Sequence, residues 1–259
     1  MLGDYEKLKK DIMSLTTVDL NAYKEKQMKR RIDSLIVRNN ISSYDEYVKV
    51  LKEKGDLFNE FMNYFTINVS EFFRNPLQWD IFDKQVIAEI KEKGTLPKIW
   101  SAACSTGDEP YTIVMILSKY FDLKKIKILA TDIDKTILEK AQIGLYSEKS
   151  VKNVPKEFLN KFFTKNGDFY QISDEIKNCV EFKLGDLLKD EYPKDKDIIV
   201  CRNVLIYFTE EAKDEIYKRF NKSLKKEGVL FVGNTEQLIS ASEFNFEPIK
   251  TFFYRKLSI

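Results

Sequence analysis

The stretch WSAACSTGDEPYTI, residues 100–113, has the residue types of a ligand-binding turn between a buried strand and a helix. Gly107 lets the backbone turn tightly, and Pro110 suits the first turn of a helix, where the N–H that it lacks would be unpaired anyway. Open α/β sheets bind ligands in such loops, at the carboxyl ends of their strands. A phosphate would be repelled by Asp108, and the three-glycine fingerprint of dinucleotide sites is missing. The stretch therefore favours a ligand that carries positive charge.

A second acid follows the next β-rich run, ILATDID, which reaches Asp132. An acid at the end of the second strand of such a sheet typically holds ribose hydroxyls. The two acids together indicate a nucleoside with a cationic, phosphate-free tail, and S-adenosylmethionine has this chemistry. A purely structural turn, or a site for another nucleotide, remains the alternative at this point.

The elements that must position these acids form two parts. From residue 97 onward, short β-rich runs alternate with helical ones, which is typical of βαβ units and a mostly parallel sheet. The predicted strands are Lys98–Ala102, Ile126–Thr131, Val180–Leu184, Asp197–Cys201, Val229–Val232 and Phe252–Leu257. The segment 145–178 does not fit this rhythm, and its Asn166-Gly167 pair predicts a hairpin in a small insertion at the edge of the sheet.

Residues 1–78 show only helical patterns. Apolar residues recur at helical spacing within 19–39, at Met28, Ile32, Leu35 and Ile36. A serine N-cap and an acidic first turn at residues 42–46 predict a helix through Leu51, which we expect Gly55 to end. We therefore predict an N-terminal helical domain, 1–78, and an α/β domain, 79–259, that carries the insertion.

The composition excludes several kinds of protein. The 259 residues carry a net charge of only +2, which gives no general attraction to nucleic acid, and histidine is absent. Cys104, Cys179 and Cys201 are scattered, which argues against a disulfide framework and for a reducing compartment. No apolar run is long enough to span a membrane, and the first residues lack the apolar core of a signal peptide. We expect a cytoplasmic protein without a metal site.

Five stretches, in this order and spacing, closely resemble the chemotaxis receptor methyltransferases (CheR-type). They are TINVSEFFRNP (66–76), WSAACSTGDEPYTI (100–113), ATDID (130–134), CRNVLIYF (201–208) and GVLFVGNTEQL (228–238). DLNAYKEKQMKRRIDSL (19–35) also resembles the basic N-terminal helix of that family, so the resemblance covers nearly the whole chain. It implies a Rossmann-like S-adenosylmethionine-dependent methyltransferase fold, with a small all-helical N-terminal domain and a β-subdomain. It also implies methyl transfer to glutamate side chains of chemotaxis receptors, with S-adenosylhomocysteine as product.

Carried over residue by residue, the resemblance implies a cofactor site. Its members are Asn68, Ser70, Arg74, Asp108, Asp132, Asp186, Leu187, Arg202 and Asn203. Asn68, Ser70 and Arg74 would close over the cofactor, Asp132 would hold the ribose, and Asp186-Leu187 would flank the adenine. Ser70 stands where the family usually has threonine, and Asp108 stands where it usually has glutamate.

The catalytic assignment is less complete than the cofactor site. The resemblance implies roles for Arg74, Arg202 and Tyr207, but no counterpart of a further substrate-orienting arginine follows Arg74. Lys91, Lys93 or Arg74 itself are the alternatives. Plainer structural roles also stay open: a helix cap for Asn68 and Ser70, a surface salt bridge for Arg74, a turn for Asp186 and core packing for Tyr207. Phe72, Phe73 and Trp79 are expected in the core rather than against adenine.

A basic stripe on the second helix predicts how the substrate is found. Lys24, Arg31 and Arg38 recur every seven residues and share a stripe about 40° wide, since each helical residue turns about 100°. Such a stripe can simply be solvated. The resemblance, however, supplies an acidic partner, the glutamate-rich methylation helices of receptors, and we interpret the stripe as substrate-binding.

Other partners are disfavoured. RNA is a competing partner for the stripe, but the chain lacks interleaved exposed aromatics and a strongly basic composition. The hairpin loop TKNGDF is short, so we expect no tether to a peptide at the receptor C-terminus. We also expect no membrane insertion and a monomer. Two alternative functions stay open: a non-catalytic S-adenosylmethionine-binding regulator and a nucleic-acid methyltransferase.

Overall fold

The computed structural model describes residues 2–16, 18–53, 55–66 and 70–258. The chain forms two compact units: Met1–Asn68 with Val204–Glu215, and Val69–Asn203 with Ile216–Ile259. The sequence-based boundary after residue 78 remains a prediction of where the recognition domain ends.

Among the residues described before 67, the helices of the first unit each have one apolar face. They are α1 (Tyr5–Thr16), α2 (Glu25–Arg38), α3 (Tyr44–Lys52) and α4 (Asp56–Phe65). The apolar residues of α2 that set its helical pattern, from Met28 to Ile36, are all buried, as predicted. The Ser43 hydroxyl accepts the Glu46 N–H and caps α3. Gly55 was expected to end α3, which is wrong: α3 ends at Lys52, and Gly55 precedes α4 in an extended conformation.

The segment Val204–Glu215 joins this helical unit, which the sequence did not predict. It begins with a 3-10 turn, Leu205–Tyr207, whose last carbonyl accepts the Lys24 N–H at 2.9 Å. The ring of Phe208 lies 4.7 Å from that of Tyr23, between centroids.

The second unit is built on a seven-stranded sheet of order β6-β2-β1-β7-β8-β10-β9. Its strands are β1 (Ile99–Ala102), β2 (Ile128–Asp132), β6 (Val180–Leu184), β7 (Lys196–Cys201), β8 (Leu224–Val232), β9 (Phe246–Lys250) and β10 (Phe253–Lys256). The first five run parallel, while β10 and β9 pair antiparallel at one side. All six predicted strands are confirmed. β9 was missed because Pro248 interrupts its pattern, a residue that sheets tolerate at an edge.

Helices cover this sheet. They are α5 (Pro76–Ile81), α6 (Ala88–Glu92), α7 (Asp108–Leu117), α8 (Lys135–Ile143), α9 (Glu148–Val151), α10 (Lys156–Phe162), α11 (Asp174–Lys177) and α12 (Glu210–Ser223). A π-helical turn, Phe82–Ile87, joins α5 to α6. Phe72, Phe73 and Trp79 lie in the core, as expected.

The predicted insertion is a separate three-stranded sheet of order β3-β5-β4. Its strands are β3 (Leu145–Ser147), β4 (Phe163–Asn166) and β5 (Phe169–Ile172). The hairpin between β4 and β5 turns at Gly167, in the left-handed region with φ 59°, as the Asn-Gly pair predicted. The Tyr146 hydroxyl of β3 donates to the Thr106 carbonyl at 2.7 Å, so the insertion supports the loop between β1 and α7.

Within the described ranges, no helix has the length and apolar character needed to cross a bilayer.

Candidate active site

Six of the predicted site residues lie at or just after the carboxyl ends of the parallel strands: Asp108, Asp132, Asp186, Leu187, Arg202 and Asn203. We call this region the carboxyl edge, defined by the residues that follow β1, β2, β6, β7 and β8. In the loop after β1, Ala103, Ser105 and Gly107 all have left-handed backbones, with φ of 61°, 49° and 85°. A Cβ on Gly107 would lie 3.0 Å from the Ala141 Cβ and 3.1 Å from the Tyr111 ring. Gly107 therefore combines a left-handed backbone with a position where a side chain would be crowded, whereas Ala103 and Ser105 adopt positive φ with their side chains present.

Asp108 is fully buried at the start of α7. Its Oδ2 accepts the Thr106 hydroxyl at 2.5 Å, whereas its buried Oδ1 has no hydrogen-bond partner within the described part of the chain. Burial raises the pKa of Asp108 to about 6, and the hydrogen bond from Thr106 acts in the opposite direction. A buried carboxylate oxygen without a hydrogen-bond partner lowers the stability of the fold. This position therefore suits a ligand that donates a hydrogen bond or carries positive charge.

Glu109, the next residue, was missed as a site residue. Its Oε1 accepts the Ser101 hydroxyl at 2.8 Å, and its Oε2 lies 3.6 Å from a guanidinium nitrogen of Arg202. Burial raises its pKa to about 7, although the Arg202 charge lowers it. The second acid of the Gly-Asp-Glu-Pro turn was the available sequence signal, but Arg202, its charged partner, follows β7 and is remote in the chain.

Asp132 ends β2 beside the first loop, as predicted. Its Oδ2 accepts the Ser105 N–H at 2.8 Å, and its Oδ1 accepts the Asp134 N–H at 3.1 Å. Burial raises its pKa to about 6, and these backbone bonds lower it. The carboxylate is thus fixed in direction, and each oxygen keeps a lone pair for a ligand hydroxyl.

Asp186 and Leu187 follow β6. Asp186 Oδ1 accepts the Leu188 N–H at 2.8 Å, and the Asp186 N–H donates to Asp190 Oδ2 at the same distance. Burial raises the pKa of Asp186. Leu187 is buried, and its carbonyl accepts the hydroxyl of Tyr192 at 2.6 Å. The turn role considered for Asp186 is therefore observed, and it leaves a binding role open.

Arg202 follows β7 and is almost completely buried among protein partners. One guanidinium nitrogen donates to the Arg74 carbonyl at 2.8 Å and to Gln78 Oε1 at 2.7 Å. The guanidinium also lies over the rings of Trp79, at 5.0 Å, and Phe231, at 4.7 Å. Burial lowers its pKa, and the Glu109 charge raises it. In this arrangement Arg202 anchors the segment that leads into α5.

Asn203, the next residue, is half-buried with a left-handed backbone. Its N–H donates to Glu236 Oε2 at 2.6 Å. Glu236, in the loop after β8, is buried and was also missed, although its stretch was quoted as a motif.

Two further predicted residues of the second unit, Ser70 and Arg74, lie before α5. Ser70 is half-buried near Asp108, and Arg74 is half-buried, with its carbonyl accepting the Trp79 indole N–H at 3.0 Å. Asn68 lies outside the described residues.

Cys104 and Cys201 are buried, as expected of small apolar groups, and burial raises the pKa of both thiols.

Four predicted residues lie in the helical unit. Tyr207 is half-buried in the 3-10 turn after Val204, and Lys24 is exposed beside the N-terminus of α2. Arg31 donates to the Tyr64 carbonyl, and its guanidinium lies 4.3 Å from the Tyr64 ring. Arg38 forms an ion pair with Glu60. Arg31 and Arg38 therefore contact α4, although Arg38 is itself exposed, and Lys26 and Arg30 are exposed on another face of α2.

The charge balance of the carboxyl edge fits S-adenosylmethionine. Asp108, Asp132, Asp134 and Glu236 are buried there and the Glu109 side chain is only 12% exposed, against the single buried cation of Arg202 among the described residues of this edge. An excess of buried carboxylates favours a cationic ligand, and Asp132 offers acceptors to a ribose. No group of three metal-ligating side chains occurs in residues 2–16, 18–53, 55–66 and 70–258.

Family models match both parts of the chain. Residues 3–66 match "CheR methyltransferase, all-alpha domain", and residues 68–253 match "CheR methyltransferase, SAM binding domain".

Three curated relatives are similar over most of their length, and all carry the name chemotaxis protein methyltransferase. The protein from Listeria innocua is 42% identical over 96% of this chain and 98% of its own length. The protein from Borreliella burgdorferi is 32% identical over 92% and 89%. The protein from Escherichia coli is 32% identical over 80% and 73%.

Proposed function

This chain belongs to the CheR methyltransferase family and is an S-adenosylmethionine-dependent methyltransferase, and we propose that it methylates glutamate side chains of chemotaxis receptors. The observation that carries this proposal is the carboxyl edge, where buried acids on successive loops suit a cationic nucleoside. Within it, we propose that Asp108 receives the ammonium of the cofactor, Asp132 the ribose hydroxyls, and Asp186 with Leu187 the adenine. Ser70, Arg74, Asn203 and, outside the described residues, Asn68 complete the proposed cofactor site.

The chemistry needs no general base. The cofactor supplies an electrophilic methyl group on its sulfonium. A glutamate carboxylate is already ionised at neutral pH and is its own nucleophile, so the absence of histidine is no obstacle. Because opposite charges cancel as the methyl group moves, positioning and exclusion of water are the main contributions of the protein. Good alignment alone can contribute roughly 7–11 kcal/mol.

Cations near the site would align the substrate carboxylate. We propose that Arg74 holds one of its oxygens, since a charge-assisted hydrogen bond leaves the other oxygen free to react. Arg202 already bonds to the Arg74 carbonyl and to Gln78, so its proposed catalytic role is to hold Arg74 in place rather than to contact the substrate. For Tyr207, the resemblance to the family supports a hydroxyl contact with the substrate.

The helical unit is proposed to recognise the acidic methylation helices of the receptor. Lys24, Arg31 and Arg38 are the predicted residues, and the exposed Lys26 and Arg30 extend the basic surface of α2. Attraction between this surface and glutamate-rich helices would steer the two together and weaken with salt.

The short hairpin at Gly167 supports recognition without a C-terminal tether. We propose that the protein works as a monomer in the cytoplasm, where receptor methylation regions lie, and that it neither binds nucleic acid nor inserts into membranes. Titration with peptides that copy receptor C-termini tests the tether, and tight binding would contradict this part of the proposal.

A transfer assay tests the function itself. The protein is incubated with methyl-labelled S-adenosylmethionine and receptor-containing membranes, and the label is then challenged with mild base. We expect base-labile label on the receptor, because carboxyl methyl esters hydrolyse readily. Cofactor binding without transfer would instead indicate a non-catalytic regulator, and base-stable label on added RNA or DNA would indicate a nucleic-acid methyltransferase.

A further inference from the structure

Glu236 joins two loops of the carboxyl edge through one carboxylate oxygen. Its Oε2 accepts the N–H of Asn203, after β7, at 2.6 Å and the N–H of Gly233, after β8, at 2.8 Å. The Glu236 N–H donates back to the Gly233 carbonyl at 3.0 Å. Because the side chain is buried, these charge-assisted bonds are shielded from competing water.

The space around Gly233 is shaped for this carboxylate. A Cβ on Gly233 would lie 2.3 Å from Glu236 Oε2 and 2.9 Å from the Asn203 nitrogen. Any side chain at this position would therefore separate the two loops. The absence of a side chain at Gly233 and the acid at Glu236 act together to bring the loop after β8 against Asn203.

The backbone of Asn203 lies in the left-handed region, with φ 62°. Asparagine enters this region more readily than other residues with a side chain, and contacts with its surroundings hold it in one orientation. The bond to Glu236 is one such constraint, and it sets the direction of the Asn203 peptide. Glu236 also acts on the preceding residue, since its charge raises the pKa of Arg202 against the effect of burial.

We propose that Glu236 is a positioning residue of the methyltransferase: it fixes Asn203 after β7, so that cofactor affinity depends on it. The inference rests on the proposed function through the placement of Asn203 in the cofactor site. It assigns no contact between Glu236 and the reacting atoms.

Two substitutions separate the acceptor from the charge. In Glu236→Gln, the amide oxygen still accepts the two N–H groups, but the negative charge beside Arg202 is lost. In Glu236→Ala, both N–H groups lose their acceptor. We expect the Kd for S-adenosylmethionine to rise by about tenfold or more in the alanine variant and by about fivefold in the glutamine variant, since an unpaired buried donor is the larger loss. Gln237→Ala, at the exposed neighbouring position, is the matched control and should bind as the wild type does.

Calorimetric titration measures the Kd for S-adenosylmethionine and for S-adenosylhomocysteine. Thermal melting gives the folded fraction of each variant, and the binding data are corrected for it. A purely structural role would lower the melting temperature but leave the Kd of the folded protein unchanged in both variants, and this result would overturn the proposal. If Glu236→Ala does not fold, the isosteric glutamine variant decides: cofactor binding within twofold of wild type and an unchanged KM for cofactor contradict the inference.

Cofactor titration does not depend on the methyl acceptor. A wild type that binds cofactor but methylates no receptor would therefore refute the proposed function and leave this inference to be judged by the variants alone.

Discussion

Asp132 is the single residue on which the proposed ribose contact depends most. Its two oxygens are already oriented by the N–H groups of Ser105 and Asp134. We predict that Asp132→Ala raises the Kd for S-adenosylmethionine by about 10- to 100-fold, as expected when charge-assisted hydrogen bonds are lost. Calorimetric titration measures the effect. Glu139→Gln, at an exposed acid of α8, is the control, and equal affinities of the two variants would contradict the assignment.

The buried acids also predict a pH dependence of cofactor binding. Burial raises the pKa of Asp108 and Asp132 to about 6 and that of Glu109 to about 7, so in the free protein these groups take up protons as the pH falls through this range. A cationic ligand prefers the ionised form. The affinity for S-adenosylmethionine should therefore decrease as the pH is lowered from about 8 to about 6. Binding near about pH 6.5 should release protons, because the cationic ligand favours the ionised acids.

S-adenosylhomocysteine is the matched ligand for this test because it lacks the sulfonium charge. Titrations of both ligands in buffers of different ionisation enthalpy report the proton release. Both ligands share the ammonium and the ribose that Asp108 and Asp132 are proposed to contact, so we expect both affinities to fall as the pH falls, by less for S-adenosylhomocysteine. Affinities for S-adenosylmethionine that stay constant from pH 8 to pH 6 would argue against an electrostatic role of these acids.

Single residues were predictable where one local motif places them, and not where distant loops meet. Asp108 and Asp132 each follow a strand that the sequence reveals, and both lie at the carboxyl edge. Glu109 and Glu236 were missed because their roles come from Arg202 and Asn203, which are remote in the chain. Burial of these partners is a property of the assembled sheet, and local sequence does not report it.

At the scale of elements, the turn between β1 and α7 requires Gly107 for two separate reasons. Its φ of 85° disfavours a side chain, and a Cβ would lie 3.0–3.2 Å from Ala141, Tyr111 and Phe182. We predict that Gly107→Ala lowers the free energy of unfolding by about 2–3 kcal/mol and weakens cofactor binding.

Gly167→Ala is the control, since Gly167 has φ 59° but no atom within 4 Å of the added Cβ. It should cost only the backbone strain, about 1 kcal/mol, and leave cofactor binding unchanged. Denaturant unfolding and calorimetry compare the two, and equal losses would show that steric contact at Gly107 is unimportant.

Among the elements, parallel strands were the most predictable and the segment 204–215 the least. The runs that became β1, β2, β6 and β7 are short and bounded by turn residues, which the sequence displays directly. The segment after Asn203 joins the helical unit through long-range contacts such as Lys24 N–H to the Tyr207 carbonyl. Its hydrophobic pattern, IYF, is equally compatible with either unit.

Different basic residues of α2 are expected to contribute to the stability of the helical unit and to receptor binding. Arg31 and Arg38 contact Tyr64 and Glu60 of α4, so Arg31→Ala with Arg38→Ala should lower stability by about 1 kcal/mol. Lys26→Ala with Arg30→Ala should leave the melting temperature unchanged but raise the KM for receptor in a salt-dependent way. Methylation kinetics at low and high salt, with thermal melting, test both pairs. If the first pair raised the KM for receptor and left the melting temperature unchanged, the stripe of Lys24, Arg31 and Arg38 would be the recognition surface.

In the whole molecule, an acidic carboxyl edge that suits a cationic cofactor serves a reaction that consumes one negative and one positive charge. The sequence predicted this combination because the family motifs are long and ordered along nearly the whole chain, and the matches over residues 3–66 and 68–253 confirm the family. The role of each residue depends on distances that only the folded chain provides.

Mass spectrometry of the receptor methylation region after incubation with the protein and S-adenosylmethionine tests the central claim most directly. The account predicts one added methyl group on glutamate side chains, removed by mild base and absent when S-adenosylmethionine is omitted. A methyl group that resists base, or one found on lysine or arginine, would contradict it.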